Sequence, residues 1–213
     1  MDKATLGFAK QVVEDVVKTV CDDRQILGLL SESAQRGDGV YAHGLAISVL
    51  ASLIAKENGW TAPNTLFKCA VGGLFHDVGK RELPPELVTK SRLMLTSQEI
   101  ALLESHPSRG RDILMQIASL PDEIAIIAYH HHENPQGNGF PQRLTSEHIH
   151  PVAKLIGVAD KFCSLVFPLR EGSVPLTTSE ALSRMMTVHA EELDTTFLRR
   201  LASLFPGIGT KAS

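Results

Sequence analysis

The chain has 213 residues, 43% hydrophobic and 21% charged, with a formal net charge of −3, values ordinary for one globular domain or one domain with an extension. That balance gives no basic footprint for long nucleic acid, and no run approaches the roughly 20 apolar residues that span a bilayer. Three scattered cysteines (Cys21, Cys69, Cys163) without a C-x-x-C pair, and an N-terminus without the apolar core of a signal peptide, read as a reduced, soluble, cytoplasmic protein.

Helical periodicity dominates. Phe8, Val12, Val13, Val16, Val17 and Val20 recur every three or four residues, which predicts an amphipathic helix. A second helix is expected from Asp22 to Arg36, closed by Gly37. Residues 1–36 therefore read as an N-terminal helical extension and 37–213 as the main domain. Within that domain helices are predicted over Tyr41–Glu57, ended by Asn58-Gly59, and over Asn64–His76. A Pro-containing stretch follows at Leu83-Pro84-Pro85. Thr96-x-x-Glu99 has the form of a capping box opening the helix that carries Ile100, Leu102 and Leu103. Pro121 and Pro151 fall in the first turns of two more helices, where a missing N–H costs little. Glu133–Ile149, rich in Gly, Pro and Asn, is the loop between them. Helices over Thr178–Glu192 and Thr195–Phe205 finish an all-α bundle with no convincing strand.

Seven acid or imidazole groups from five segments belong together: His43, the pair His76-Asp77, His106, the pair His131-His132, and Asp160. Each falls on or at the end of a predicted helix, so a bundle can point them at one centre, as helical dimetal sites do. Imidazole and carboxylate suit iron, manganese, cobalt or zinc. Asp77 is the natural bridge between two cations. Neighbours on a helix diverge by about 100°, so His76 and Asp77 share a centre only if the helix ends there, and Gly79 is expected to end it. Two metals can hold a bridging water as hydroxide and clamp phosphate oxygens; Lys80, a short loop away, would add a point charge.

Taken singly, each piece has an ordinary explanation. His43 reads as a helix-surface or core histidine, His106 as a cation at a helix C-terminus, and His130-His131-His132 as a solvated corner. Together, the ordered runs HDVGK, HPSRG, HHE and GVAD make coincidence a poor account. Arg143, past the loop's Gly-Phe-Pro, could reach a phosphate, although a loop arginine is more often solvated. His148 and His150 read as surface or capping residues, His130 as an outer partner or a helix-face residue, Trp60 as a core plug and Arg81 as solvent-facing.

Over residues 41–186 the chain resembles the HD-GYP subfamily of HD-domain phosphohydrolases. The similar segments are HDVGK with ELPPELVTKSRLMLTSQE, HPSRGRDIL, HHENPQGNGFP and IGVADKF. The resemblance implies an HD-domain helical bundle and two divalent ions, usually iron or manganese. One ion would take His43, His76, Asp77 and Asp160; the other would take Asp77, His106, His131 and His132. Lys80 matches the family's active-site lysine. The implied substrate is cyclic di-GMP, or another cyclic dinucleotide or phosphate ester.

The chain departs from that pattern in several places. Gly39 stands where some members carry a third metal's glutamate, so two ions are expected. Gln136 and Phe140 replace the motif's aspartate and tyrosine, and the phenylalanine lacks a hydroxyl donor. After Asp160 the run is DKFCSLVFPLREG: Cys163 and Ser164 replace an Asp-Ala pair and one arginine is lost, with Arg170 close enough to substitute. These changes leave the metal set complete and alter the substrate set. A weakly catalytic domain that senses a nucleotide or binds a protein is the non-enzymatic alternative. The N-terminal helices could cap the bundle, form a homodimer or meet a sensor partner.

Overall fold

The computed structural model describes residues 39–206. The helices expected at Phe8–Val20 and Asp22–Arg36, and with them the 1–36 extension, lie outside the described residues. The described chain is helical, with one isolated antiparallel bridge between Gln136 and Thr145. Its helices are α1 (Gly39–Glu57), α2 (Pro63–Phe75), α3 (Pro85–Thr89), α4 (Ser97–Leu103), α5 (His106–Met115), α6 (Asp122–His130), α7 (Pro151–Val166), α8 (Thr178–Thr187) and α9 (Thr195–Ser203).

Helix α1 is the hub. Ile47, Leu50, Ala51, Ile54 and Ala55 are all buried and recur at the three- and four-residue spacing of an apolar helical stripe. That stripe packs on α2, α7 and α9, while α2 and α7 also meet α6. From α7, Leu155, Ile156, Val158 and Ala159 enter the same core. Trp60, half-buried beyond the end of α1, sets its ring edge-on to Phe197 at 5.3 Å. A second, small cluster of Leu83, Leu87 and Leu103 lets the 83–103 segment fold over one side of the bundle.

The caps explain several boundaries. Thr96 accepts from the Glu99 amide at 3.3 Å while Glu99 accepts from the Thr96 amide at 2.8 Å, the reciprocal box predicted. Thr177 and Glu180 form a second box. Pro151 opens α7, as expected, but Pro121 is the residue before α6 and not part of its first turn. The first described residue, Gly39, is already helical, two residues before the predicted start of α1. Helix α8 stops at Thr187, five residues before Glu192, and Glu192 instead accepts from His189 at 2.9 Å. His106 opens α5, which overturns its reading as a C-terminal cation.

Gly79 also acts differently from expectation. Helix α2 ends at Phe75, before His76 and Asp77, and Val78–Glu82 turns as a 3-10 segment. Gly79 is not among the positive-φ glycines. Its role is close approach: an added Cβ would lie 2.0 Å from the His106 carbonyl oxygen and 2.5 Å from the Gly110 nitrogen. The turn carrying Asp77 thus lies directly against the first turn of α5. Both obstacles are backbone atoms, which cannot rotate aside. Gly79→Ala is therefore expected to cost about 3 kcal/mol or more, read as a lowered midpoint in urea unfolding.

Candidate metal centre

Five segments deliver the seven groups: His43 from α1, His76 and Asp77 from the end of α2, His106 from the start of α5, His131 and His132 from the end of α6, and Asp160 from α7. His43, His76, Asp77, His106 and His131 are buried, and His132 and Asp160 are partly so.

Three imidazoles share one local device. Nδ1 of His76 lies 2.7 Å from the Gly73 carbonyl, that of His106 2.7 Å from Leu103, and that of His131 2.6 Å from Ala128. Each carbonyl sits three residues back, in the last turn of a helix, where carbonyls lack the next amide. A carbonyl only accepts, so each Nδ1 carries the proton and each Nε2 keeps its lone pair.

Those lone pairs converge on Asp77. Nε2 of His106 is 3.1 Å and that of His131 3.6 Å from Asp77 Oδ1, while Nε2 of His76 is 3.3 Å from Oδ2. One carboxylate oxygen thus faces each set of imidazoles. Nε2 of His106 and Nε2 of His131 are themselves 3.3 Å apart. With both protons on Nδ1, these are lone pairs facing lone pairs, an arrangement that a shared cation satisfies. Nε2 of His76 and Oδ1 of Asp77 have no hydrogen-bond partner, although such buried groups are normally paired.

Two groups of metal-competent atoms result: Asp77, His106, His131 and His132, and beside them His43, His76 and Asp160. Asp160 Oδ1 lies 3.0 Å from His43 Nε2 and 4.0 Å from His76 Nε2, and it accepts from Ser164 at 3.2 Å. The donor set fits borderline divalent ions, with imidazole and carboxylate present and thiolate absent. Cys69 and Cys163 are free, buried thiols, the first pushed up to about 12 by burial.

Charge states suit the same use. Burial pushes Asp77 up, but Lys80, His76 and the imidazoles of His106 and His131 more than reverse this and hold it well below the usual carboxylate range. Asp160 is depressed likewise, its burial outweighed by His43, His76 and His132. Burial pulls His131 down to about 4 and takes His132 well below its ordinary value. At neutral pH two anions and two neutral rings result, the forms that bind metal. His76 is raised: burial lowers it, and the Asp77 and Asp160 carboxylates more than offset that.

The remaining predicted residues are dispersed. Lys80 reaches the centre itself, with Nζ 2.5 Å from Asp77 Oδ2. Half-buried Arg170 donates to the Lys90 carbonyl at 2.7 Å, and burial and the nearby Arg92 lower it from its ordinary value, which the charge of Asp77 only partly offsets. Arg143 is exposed, at a φ of 59°, and no contact ties it to the cluster. His150 caps α7 by accepting from the Val152 amide at 3.2 Å, and His130 accepts from the His150 amide at 3.3 Å. His148 and Arg81 are exposed. Sequence reasoning missed Glu133, whose buried carboxylate accepts from the amides of Gln142 and Leu144. Its place in HHE was the available signal. It also missed Ser164 as a donor to Asp160.

A family model described as an HD domain matches residues 19–197. The chain belongs to the HD-domain family. A curated relative in Pseudomonas aeruginosa, named a cyclic di-GMP phosphodiesterase, is 27% identical over 182 residues, covering 84% of this chain and 42% of the relative. A 3'3'-cGAMP-specific phosphodiesterase of Vibrio cholerae is 26% identical over 155 residues, covering 72% of this chain and 34% of the relative. The chain thus spans less than half the length of these relatives. An HD-GYP-type protein of Bdellovibrio bacteriovorus superposes with a TM-score of 0.80 at 22% identity, covering 97% of this chain and 65% of that one. It shares the fold, including the all-helical bundle. No helix among the described residues is long and apolar enough to cross a membrane.

The two groups of ligands predict separable sites. His43→Ala is expected to leave one ion bound, in the group built on His106, His131 and His132, whereas Asp77→Asn, which neutralises the shared carboxylate, is expected to weaken both. Elemental analysis of the purified variants after incubation with manganese reads this directly.

Proposed function

We propose that the chain is a two-metal phosphodiesterase acting on a cyclic dinucleotide, cyclic di-GMP first among them. The observation that carries this reading is the Asp77 carboxylate. One oxygen faces His106 and His131, the other faces His76, which is the arrangement a bridge between two cations requires. Iron or manganese fits the mixed imidazole and carboxylate donors. When bound, two such ions supply an acidified water as nucleophile and positive charge for phosphoryl oxygens.

The chain's own residues do the rest. Carbonyl-bound Nδ1 atoms hold three rings in one tautomer and orientation, so no reorganisation is needed as charge develops. Lys80, with a side chain 18% exposed and bonded to Asp77, can present its remaining N–H groups to a phosphate oxygen. Arg170, tied at one nitrogen to the Lys90 carbonyl, keeps the rest of its guanidinium for a second anionic group. Arg143 stands on the exposed loop and contributes at most to long-range attraction.

A different cyclic dinucleotide is the second reading. It is favoured by Cys163 and Ser164 standing where the resembled family has Asp-Ala, and by the relative named for 3'3'-cGAMP. Hydrolysis of cyclic di-GMP, 3'3'-cGAMP and cyclic di-AMP by protein loaded with manganese or ferrous iron decides between them. Turnover of cyclic di-GMP is expected, abolished by Asp77→Asn. Lys80→Ala is expected to lower kcat by about 10²-fold, the usual scale for losing one preorganised electrostatic donor. Arg170→Ala is expected to act mainly on KM. A metal-loaded protein that cleaves none of the three would refute the reading.

Added metal should also be visible in stability. Ions that bind only the folded state raise the melting temperature with concentration. Manganese is expected to raise it in the native chain and much less in Asp77→Asn, read by thermal melting with and without chelator.

A further inference from the structure

His132 stands apart from the other imidazoles of its group. The Nδ1 atoms of His106 and His131 are held by carbonyls, but no hydrogen bond orients the His132 ring among the described residues. It is held by packing instead. The ring lies 4.1 Å from that of His131, 4.9 Å from His106, and 4.6 Å from Phe140 at an interplanar angle of 32°. Phe140 covers its outer side and also meets His106 at 6.2 Å, nearly edge-on.

Phe140 belongs to an irregular loop, so something must hold it in place. Gly139 lies flat on the chain at His132: an added Cβ would be 2.5 Å from the His132 carbonyl oxygen and 2.6 Å from the Asn134 nitrogen. The Phe140 amide donates to that same carbonyl at 3.2 Å. Past Phe140 the main chain of the loop is held by the Glu133 side chain, beside a side-chain contact of Gln142 with His130 and the Gln136–Thr145 bridge. Glu133, 7% exposed, accepts from the Gln142 amide at 2.5 Å through Oε1 and from the Leu144 amide at 2.8 Å through Oε2. Between those donors Arg143 adopts a φ of 59°. That left-handed conformation is unfavourable for an L residue, and it lets both amides reach one carboxylate. No lysine or arginine pairs with Glu133 among the described residues. Its hydrogen-bond donors are main-chain amides, and His130 lies within reach of its charge.

We propose that Glu133 and Phe140 are positioning residues for the group of Asp77, His106, His131 and His132. By fastening residues 142–144, Glu133 keeps the Phe140 ring on His132 and so fixes the one ligand that no hydrogen bond orients. Phenylalanine suffices at position 140 because the contact is ring on ring and needs no hydroxyl. This inference rests on the two-metal reading of the site, but it concerns affinity and not turnover.

The test is manganese binding by calorimetry, with elemental analysis, on the full chain. Glu133→Gln turns an N–H₂ toward one of the two amides and leaves a donor facing a donor. Phe140→Leu keeps the loop's fastening and removes the ring. Both are expected to weaken one of two bound ions by about tenfold to a hundredfold, the usual effect of losing a residue that supports a ligand, while the other ion is retained. Phe140→Tyr is expected to bind both ions like the native chain, which a general loss of packing would not predict. Thermal melting of each variant with chelator present separates a folding defect from a binding one. Native binding of both ions by Phe140→Leu and by folded Glu133→Gln would overturn the proposal and leave the two-metal reading standing. A native chain that binds no manganese or ferrous iron would overturn both.

Discussion

The structure depends on one repeated interaction, an imidazole Nδ1–H given to a carbonyl three residues back at the end of a helix. It occurs at His76, His106 and His131. Each instance satisfies a carbonyl in the last turn of α2, α4 or α6 and aims an Nε2 lone pair at Asp77. Helix termination and ring orientation are therefore the same event. This is why α2 ends before His76 and why α4 gives way to α5 between Leu103 and His106. Continuous helices through those points would leave the carbonyls bonded to amides and the rings free to turn.

Bringing three helix ends to one carboxylate requires backbones to approach more closely than side chains permit. Gly79 meets that demand where the Asp77 turn lies on α5. The large apolar core of α1, α2, α6 and α7 supplies the rigidity on the other side. Lone pairs crowded within 3.1–3.6 Å of one another are unfavourable by themselves. The fold holds them together by burial elsewhere, and this makes the site ready for a cation of the right charge.

Much of this was legible in the sequence, and the reason is the density of chemistry per residue. His76-Asp77, His131-His132 and the capping box at Thr96 each combine a residue type with a spacing that has few other uses. Helices α1 and α7 were placed by their terminal signals, Asn58-Gly59 after the one and Pro151 at the start of the other. Other helix ends were less plain. Nothing local distinguishes Thr187 from Glu192 as a terminus, because the choice rests on Glu192 pairing with His189 and Lys161, contacts that exist only after folding. Gly79 was read as the residue that ends the helix, but its φ is not positive and its role is close approach to α5, a tertiary fact. Glu133 went unread for the same reason: its partners are main-chain amides nine and eleven residues away, and amides have no sequence signature.

The division between what is rigid and what is variable follows from the same geometry. The seven candidate ligands lie on helices or at their ends, held by the bundle. Beside them run two outer stretches, 83–96, which includes α3, and 167–177. Those stretches are tied to each other by Arg170 on the Lys90 carbonyl and by the Glu171 amide on the Thr89 carbonyl at 2.8 Å. They carry exposed apolar side chains, Leu93, Met94 and Val174, and the cations Lys90, Arg92 and Arg170. Neither stretch supplies any of the seven candidate ligands. Of the positions that depart from the resembled pattern, Arg170 lies on the second stretch and Cys163 is buried in α7, while Ser164 donates to Asp160 and Phe140 packs on His132. The metal-competent groups and these outer stretches are therefore carried by different parts of the chain.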